Sequence, residues 1–180
     1  MTDSLQQVQT ALKKKFSNRK LVFGRGSVGS KIVVVTDHPG ADGAKEGKPL
    51  AGNNQKLLNK VLRTAGINSR SIYFTNVIKY HPQDKKPTPK EIKSYVPFLK
   101  EEIKTVGPRV VVTLGHIALN GIGLRQPLHN IHGRTFNFGS YTLLPTFHPE
   151  TASKDPEAHT LLQADLRKLK KILAETEKEE

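Results

Sequence analysis

No cysteine occurs anywhere in the 180 residues. The chain therefore cannot build a disulfide framework, a thiolate zinc site or a cysteine-ligated iron-sulfur cluster, and it has no cysteine nucleophile. Long apolar runs are missing too. Ile32 to Val35, flanked by Lys31 and Thr36, is the longest, far short of the roughly 20 residues that span a bilayer. Met1 to Gln7 carries neither the basic nor the apolar block of a secretory signal. These absences predict a soluble protein without a membrane partner, cytoplasmic and, in a prokaryote, nucleoid-associated. Acidic residues are scarce, with 16 Asp+Glu against 29 Lys+Arg, for a net charge of +13. Such a surplus attracts polyanions because each neutralised phosphate releases counterions, so nucleic acid is the first partner to consider. Lys13 to Lys15 and the 168–171 stretch fit equally well as solvated faces of amphipathic helices.

What is present suffices for one buried core, since 36% of the residues are hydrophobic. No repeat or low-complexity linker divides the chain, which reads as one domain over 1–180, with an N-terminal helix within 1–20 and a C-terminal helix over 156–176. Leu5, Val8, Leu12 and Phe16 recur at helical spacing. Lys31 to Thr36, Ser71 to Thr75 and Arg109 to Leu114 read as strands, two of them β-branched runs of the kind covered on both faces. Between them, Leu57 to Ala65 form a helix stopped by Gly66, and Thr88-Pro89-Lys90-Glu91 is a capping box that opens another. Thr135 to Leu144 reads as a hairpin running into a strand over Tyr141 to Pro145, and Asp155-Pro156 caps the last helix. This alternation predicts an α/β fold: a three-layer α/β/α sandwich around a mostly parallel sheet of about four strands.

Ligands of such sheets bind beyond the carboxyl ends of the strands. That rule selects four loops: Asp37 to Gly40, Asn76 to His81, Gly115-His116 and Phe147 to Lys154. Gly24-Arg25-Gly26-Ser27-Val28-Gly29 matches a dinucleotide fingerprint in spacing, but it precedes a strand instead of joining a strand to a helix, and reads as a flexible turn near the site. Seven histidines lack the spacing of a helical metal motif, so no metal is expected. No Gly-Xaa-Ser-Xaa-Gly elbow is present.

Taken together, these loops resemble the uracil-DNA glycosylase superfamily, most closely its family 4. The resemblance rests on Phe23-Gly24-Arg25-Gly26, Val33 to Gly40, Glu46 to Gly52, Phe74 to Pro82, Pro108 to Gly115 and Thr146 to Pro149. Their order and spacing fit over residues 21–170. The resemblance implies a DNA-repair hydrolase that is monofunctional, acts as a monomer and excises uracil from flipped-out nucleotides. By this resemblance Asp37 and His148 are catalytic, the first beside the sugar and the second facing uracil O2. His38, Pro39, Gly40, Leu50 and Asn76 bind the base, with Asn76 reading its edge. Water adds to the sugar and no cofactor is required. Arg134, Lys79, Thr151, Ser153 and Lys154 are expected along the DNA. Cleavage leaves positive charge on the sugar and negative charge on the base, which a carboxylate and an imidazole N–H would respectively stabilise.

The departures from family 4 are equally specific. Its four cluster cysteines are absent, Tyr80 and Tyr95 standing for the central two, and we expect these tyrosines and the first helix to fill that place by packing. Leu50 replaces the aromatic that stacks on uracil, Gly43 replaces a second acid beside Asp42, and Thr151 to Lys154 carry no bulky wedge. Two further readings stay open: a non-catalytic nucleic-acid or nucleotide-binding module, and a glycosylase for hypoxanthine or xanthine.

Overall fold

A computed structural model describes residues 2–178. Its centre is a five-stranded sheet in the order β2-β1-β3-β5-β4, built from β1 (Ile32–Thr36), β2 (Ile72–Asn76), β3 (Val110–Leu114), β4 (Phe136–Asn137) and β5 (Thr142–Thr146). Four strands run parallel; β4 is the antiparallel fifth, added by the hairpin. The β-branched runs become strands because both faces are covered. Val33, Val35 and Val111 pack under helices α1 (Thr2–Lys15), α4 (Pro89–Val106) and α5 (His116–Ile122), through Leu12, Leu99, Ile103 and Leu119. Ile32, Val34, Val110 and Val112 pack on the opposite face under α3 (Gly52–Thr64) and the carboxyl-terminal helices, through Leu58, Leu62, Leu162 and Leu166. The sandwich is thus α/β/α, as the alternation predicts.

Short helices frame the carboxyl edge of the sheet: α2 (Ala41–Glu46) after β1, α6 (Leu128–Ile131) before the hairpin, and α7 (Pro149–Lys154) after β5. Thr88 caps α4, its Oγ1 accepting from the Glu91 N–H at 3.1 Å, while the Glu91 carboxylate accepts from the Tyr80 hydroxyl, and Asp155 caps α8 (Pro156–Arg167) through the Glu157 N–H.

Two expectations need correction. The carboxyl-terminal helix is not continuous over 156–176 but breaks at Lys168 into α8 and α9 (Leu169–Lys178); Lys168 donates from Nζ to the Gly133 carbonyl at 2.9 Å, a tether that no local breaker signals. In the Gly24–Gly29 segment only Val28-Gly29 forms a turn. Arg25 exchanges two 2.8 Å backbone hydrogen bonds with Phe74 and so covers the free edge of β2. Gly26 lies at φ +138, where a Cβ would sit 2.7 Å from the Tyr73 Cα, so the glycine permits this close approach of backbone to sheet.

Candidate active site

A pocket of about 390 Å³ opens at the carboxyl edge between the β1 loop, the start of α3 and α7. Asp37, His38, Gly40, Leu50, His148, Thr151 and Lys154 line it. Residues expected from three separate stretches of chain are therefore brought to one cavity.

Asp37 follows the last residue of β1, and its backbone carbonyl accepts from the Ile78 N–H at 3.0 Å, which ties two of the loops together. Its carboxylate crosses to the start of α5 and accepts from the Ala118 N–H at 2.7 Å. Gly115, at φ +100, has no side chain to block it; a Cβ there would meet both carboxylate oxygens at 2.8 and 2.9 Å. Burial raises the pKa of Asp37 to about 7, opposed by the amides of Ala118 and Ile117, which favour the charged form.

His148 is the N-cap of α7, and its Nδ1 accepts from the Glu150 N–H at 3.0 Å. A nitrogen that accepts carries no proton, so the proton of the neutral ring lies on Nε2. Burial lowers its pKa to about 4; Glu150 opposes this shift and His38 reinforces it. At neutral pH the pocket therefore holds a neutral imidazole whose Nε2–H is a hydrogen-bond donor.

On the β1 loop, the Pro39 carbonyl accepts from two rings, His38 Nδ1 and His81 Nδ1, each at 3.0 Å. Leu50 is 6% exposed and forms an apolar wall. Behind that wall, and outside the pocket lining, lies Asn76. It is 1% exposed, and its amide nitrogen donates to the Pro49 carbonyl at 3.1 Å and to Thr36 Oγ1. Its Oδ1 has no hydrogen-bond partner among the described residues. An unpaired buried acceptor is costly, which marks this oxygen as one that a ligand would satisfy.

Lys79 does not reach DNA. It is fully buried, and its ammonium donates to Thr75 Oγ1 at 2.7 Å, to the Asn76 carbonyl at 2.5 Å and to Glu102 Oε1 at 2.8 Å. Glu102 also accepts from Tyr73 and Thr75, at 2.7 Å each. Desolvation leaves Lys79 no role at a phosphate; it anchors the strand end that carries Asn76. Arg134 is exposed over the Phe136 ring, 5.8 Å from its centroid, and lies outside the pocket lining. Thr151 and Lys154 lie on the pocket rim, and Ser153, also exposed, donates to the Glu150 carbonyl.

Sequence reasoning missed Asn54, which lines the pocket from the first turn of α3, and Glu102, whose partner lies 23 residues away. Neither belongs to a motif. Position 43 is structurally closed: a Cβ there would lie 2.6 Å from the Lys48 carbonyl oxygen. Gly43→Asp is therefore expected to lower stability by about 1–3 kcal/mol through overpacking, measured by urea denaturation; an unchanged midpoint would show that the 48 backbone yields.

A carboxylate and an imidazole thus line one cavity at the carboxyl edge of the sheet, and an unsatisfied amide oxygen lies close by. Comparison with known proteins names the family. The model of the uracil DNA glycosylase superfamily matches residues 23–174, and the chain belongs to that superfamily. A type-4 uracil-DNA glycosylase of Thermotoga maritima is 30% identical over 170 residues, covering 91% of this chain and 88% of that protein. One from Saccharolobus solfataricus is 27% identical over 185 residues, covering 97% and 85%. A DNA polymerase of Bacillus phage SP01 is 27% identical over 158 residues, or 87% of this chain and 17% of the polymerase.

The iron-sulfur cluster implied by family 4 does not fit these residues. There is no thiolate, and Tyr95, 1% exposed, stacks on Phe16 at 4.0 Å with an interplanar angle of 6°. Tyr80 lies 6.4 Å from Tyr95, donates to Glu91 at 2.6 Å and carries the Arg19 guanidinium over its ring. Phe16, just beyond α1, thus joins the tyrosines in filling this region with packed rings. Among the described residues no group of three or more His, Asp or Glu could hold a metal ion, and no helix is long and apolar enough to cross a membrane.

Proposed function

We propose that the protein hydrolyses the N-glycosidic bond of uracil in DNA, without a cofactor, after the nucleotide has left the base stack. The observation that carries this reading is the fixed neutral His148: its Nε2–H would donate to uracil O2 as negative charge builds on the departing base. Asp37, charged above its raised pKa, would stabilise the positive charge on the sugar. The Asn76 Oδ1 would accept from the uracil N3–H, and Leu50 would cover one face of the ring. Lys154 and Thr151 at the rim would meet the DNA backbone. Flipping costs a few kcal/mol, least where pairing is already weak, so U opposite G or in single strands is the favoured substrate. Formation of abasic sites in U:G and single-stranded uracil oligonucleotides tests the reading. DNA binding without base loss would favour the non-catalytic module instead, a reading to which the closed Gly43 position lends weight. Release of hypoxanthine or xanthine in place of uracil would move the substrate to another deaminated base.

Asp37 also makes activity depend on pH. If its charged form is required, base release should fall about tenfold per pH unit below about 7, and a pH-rate profile flat from 5 to 8 would remove Asp37 from the chemistry. Stability should move the other way. The unfolded chain gives up this proton near 3.8 and the folded chain near 7, so the folded state is progressively disfavoured as pH rises between those values. Asp37→Asn is thus expected to raise Tm at pH 8 relative to the unaltered protein and to lose that advantage near pH 3.

A further inference from the structure

The two pocket imidazoles are held in opposite tautomers by the backbone. His148 accepts a backbone N–H at Nδ1, which leaves an N–H at Nε2. His38 faces a carbonyl, that of Pro39, at 3.0 Å from its Nδ1. A carbonyl can only accept, so His38 Nδ1 carries the proton and the Nε2 of the neutral ring carries a lone pair. Among the described residues that Nε2 has no hydrogen-bond partner. His81 donates to the same carbonyl from the side opposite in sequence, 42 residues on, and so helps to fix the acceptor that sets the His38 tautomer. One wall of the cavity thus presents a donor and another presents a base.

Asp37, Asp42 and Glu150 also line the cavity, each lying against another group. The Asp37 carboxylate is bound by amides at the start of α5, 2.7 Å from Ala118. Position 43 has no room for a side chain. The Asp42 carboxylate lies against Gly52 at the start of α3, where a Cβ would be 3.2 Å from its Cγ. Glu150 is exposed and paired with Lys154 at 3.3 Å.

We propose that His38 is the general base that activates the attacking water. The proposal rests on the glycosylase reading and adds to it the residue that takes the water proton. The water oxygen bonds to the anomeric carbon as the carbon–N1 bond of uracil breaks. The electron pair of that bond leaves with the base, whose O2 meets His148 Nε2–H, and the water proton passes to His38 Nε2. The resulting imidazolium returns that proton to solvent, and the uracil anion takes one up. His148 and His38 thereby divide the roles of hydrogen-bond donor and base between two groups of the same kind.

The test measures single-turnover base release from uracil DNA, alongside binding of the same DNA carrying an uncleavable uracil analogue. His38→Gln is expected to slow release by about 100-fold or more, well beyond its loss of analogue binding. His38→Ala should be slowed similarly and should recover part of its rate when free imidazole is added, a rescue that a merely structural side chain would not permit. An active unaltered protein whose His38→Gln and His38→Ala variants keep their rate overturns the proposal alone. So does a loss of that size in Asp42→Asn with His38→Gln unaffected, or an imidazole-insensitive His38→Ala. An unaltered protein that leaves uracil in place overturns the glycosylase reading and this proposal with it.

Discussion

His148→Ala is expected to release uracil from DNA about 10²–10³-fold more slowly than the unaltered protein, the usual cost of deleting a donor aimed at developing negative charge. The effect is large because the donor is preorganised. Its tautomer is set by the Glu150 N–H, so no proton has to be rearranged when the base departs. Burial keeps the ring neutral down to about pH 4, and the deletion should therefore lower the rate by the same factor across pH 6 to 8. The substitution also removes the N-cap of α7, which by itself costs about 1 kcal/mol. His148→Asn separates the two contributions: asparagine restores the cap but cannot place a donor where Nε2–H stood. Recovery of stability without recovery of rate is the expected outcome, and a His148→Ala enzyme within about threefold of the original rate would remove the imidazole from the chemistry.

The second large effect concerns stability. Lys79→Met is expected to destabilise the fold by about 3–5 kcal/mol, because it leaves Glu102 charged and buried without its cation. The lost pair is embedded in a network in which Thr75, Tyr73 and the Asn76 carbonyl supply the remaining hydrogen bonds. Replacing both charges, in Lys79→Met with Glu102→Leu, should recover only part of that loss, since the unpaired charge is removed but the buried Tyr73 and Thr75 hydroxyls and the Asn76 carbonyl lose these partners. Urea denaturation of both variants measures the difference. A single variant within about 1 kcal/mol of the original would mean that water reaches the pair and that the strand end is not locked by it.

The two predictions separate what could be read along the chain from what could not. Runs such as Ile32 to Val35 and Val110 to Val112 show their burial directly, because only a sheet covered on both faces accommodates unbroken β-branched sequence. Once those strands are placed, the carboxyl-edge rule selects the loops that carry Asp37, Asn76 and His148, the resemblance singles out these three, and the structure puts Asp37 and His148 in one pocket with Asn76 close by. Lys79 was misread because position in a loop does not reveal burial. Whether a lysine beyond a strand meets a phosphate or an internal carboxylate depends on Glu102, carried past it by α4. The Gly24–Gly29 segment was misread for a similar reason. Its glycines serve a contact with Tyr73 and Phe74, nearly fifty residues distant, and nothing local tells that contact from a loose turn.

The sequence by itself therefore determined the α/β class, the edge of the sheet where chemistry resides, and the absence of any cysteine that could ligate a cluster. These follow from composition and from periodicity over a few residues, which local physics decides. Tertiary structure alone decided the protonation pattern. That His148 accepts at Nδ1 while His38 donates there, and that Asp37 holds its proton up to about pH 7, depends on backbone amides, carbonyls and burial assembled from distant segments. A proton's position is fixed by what faces it in space, and sequence adjacency does not record that.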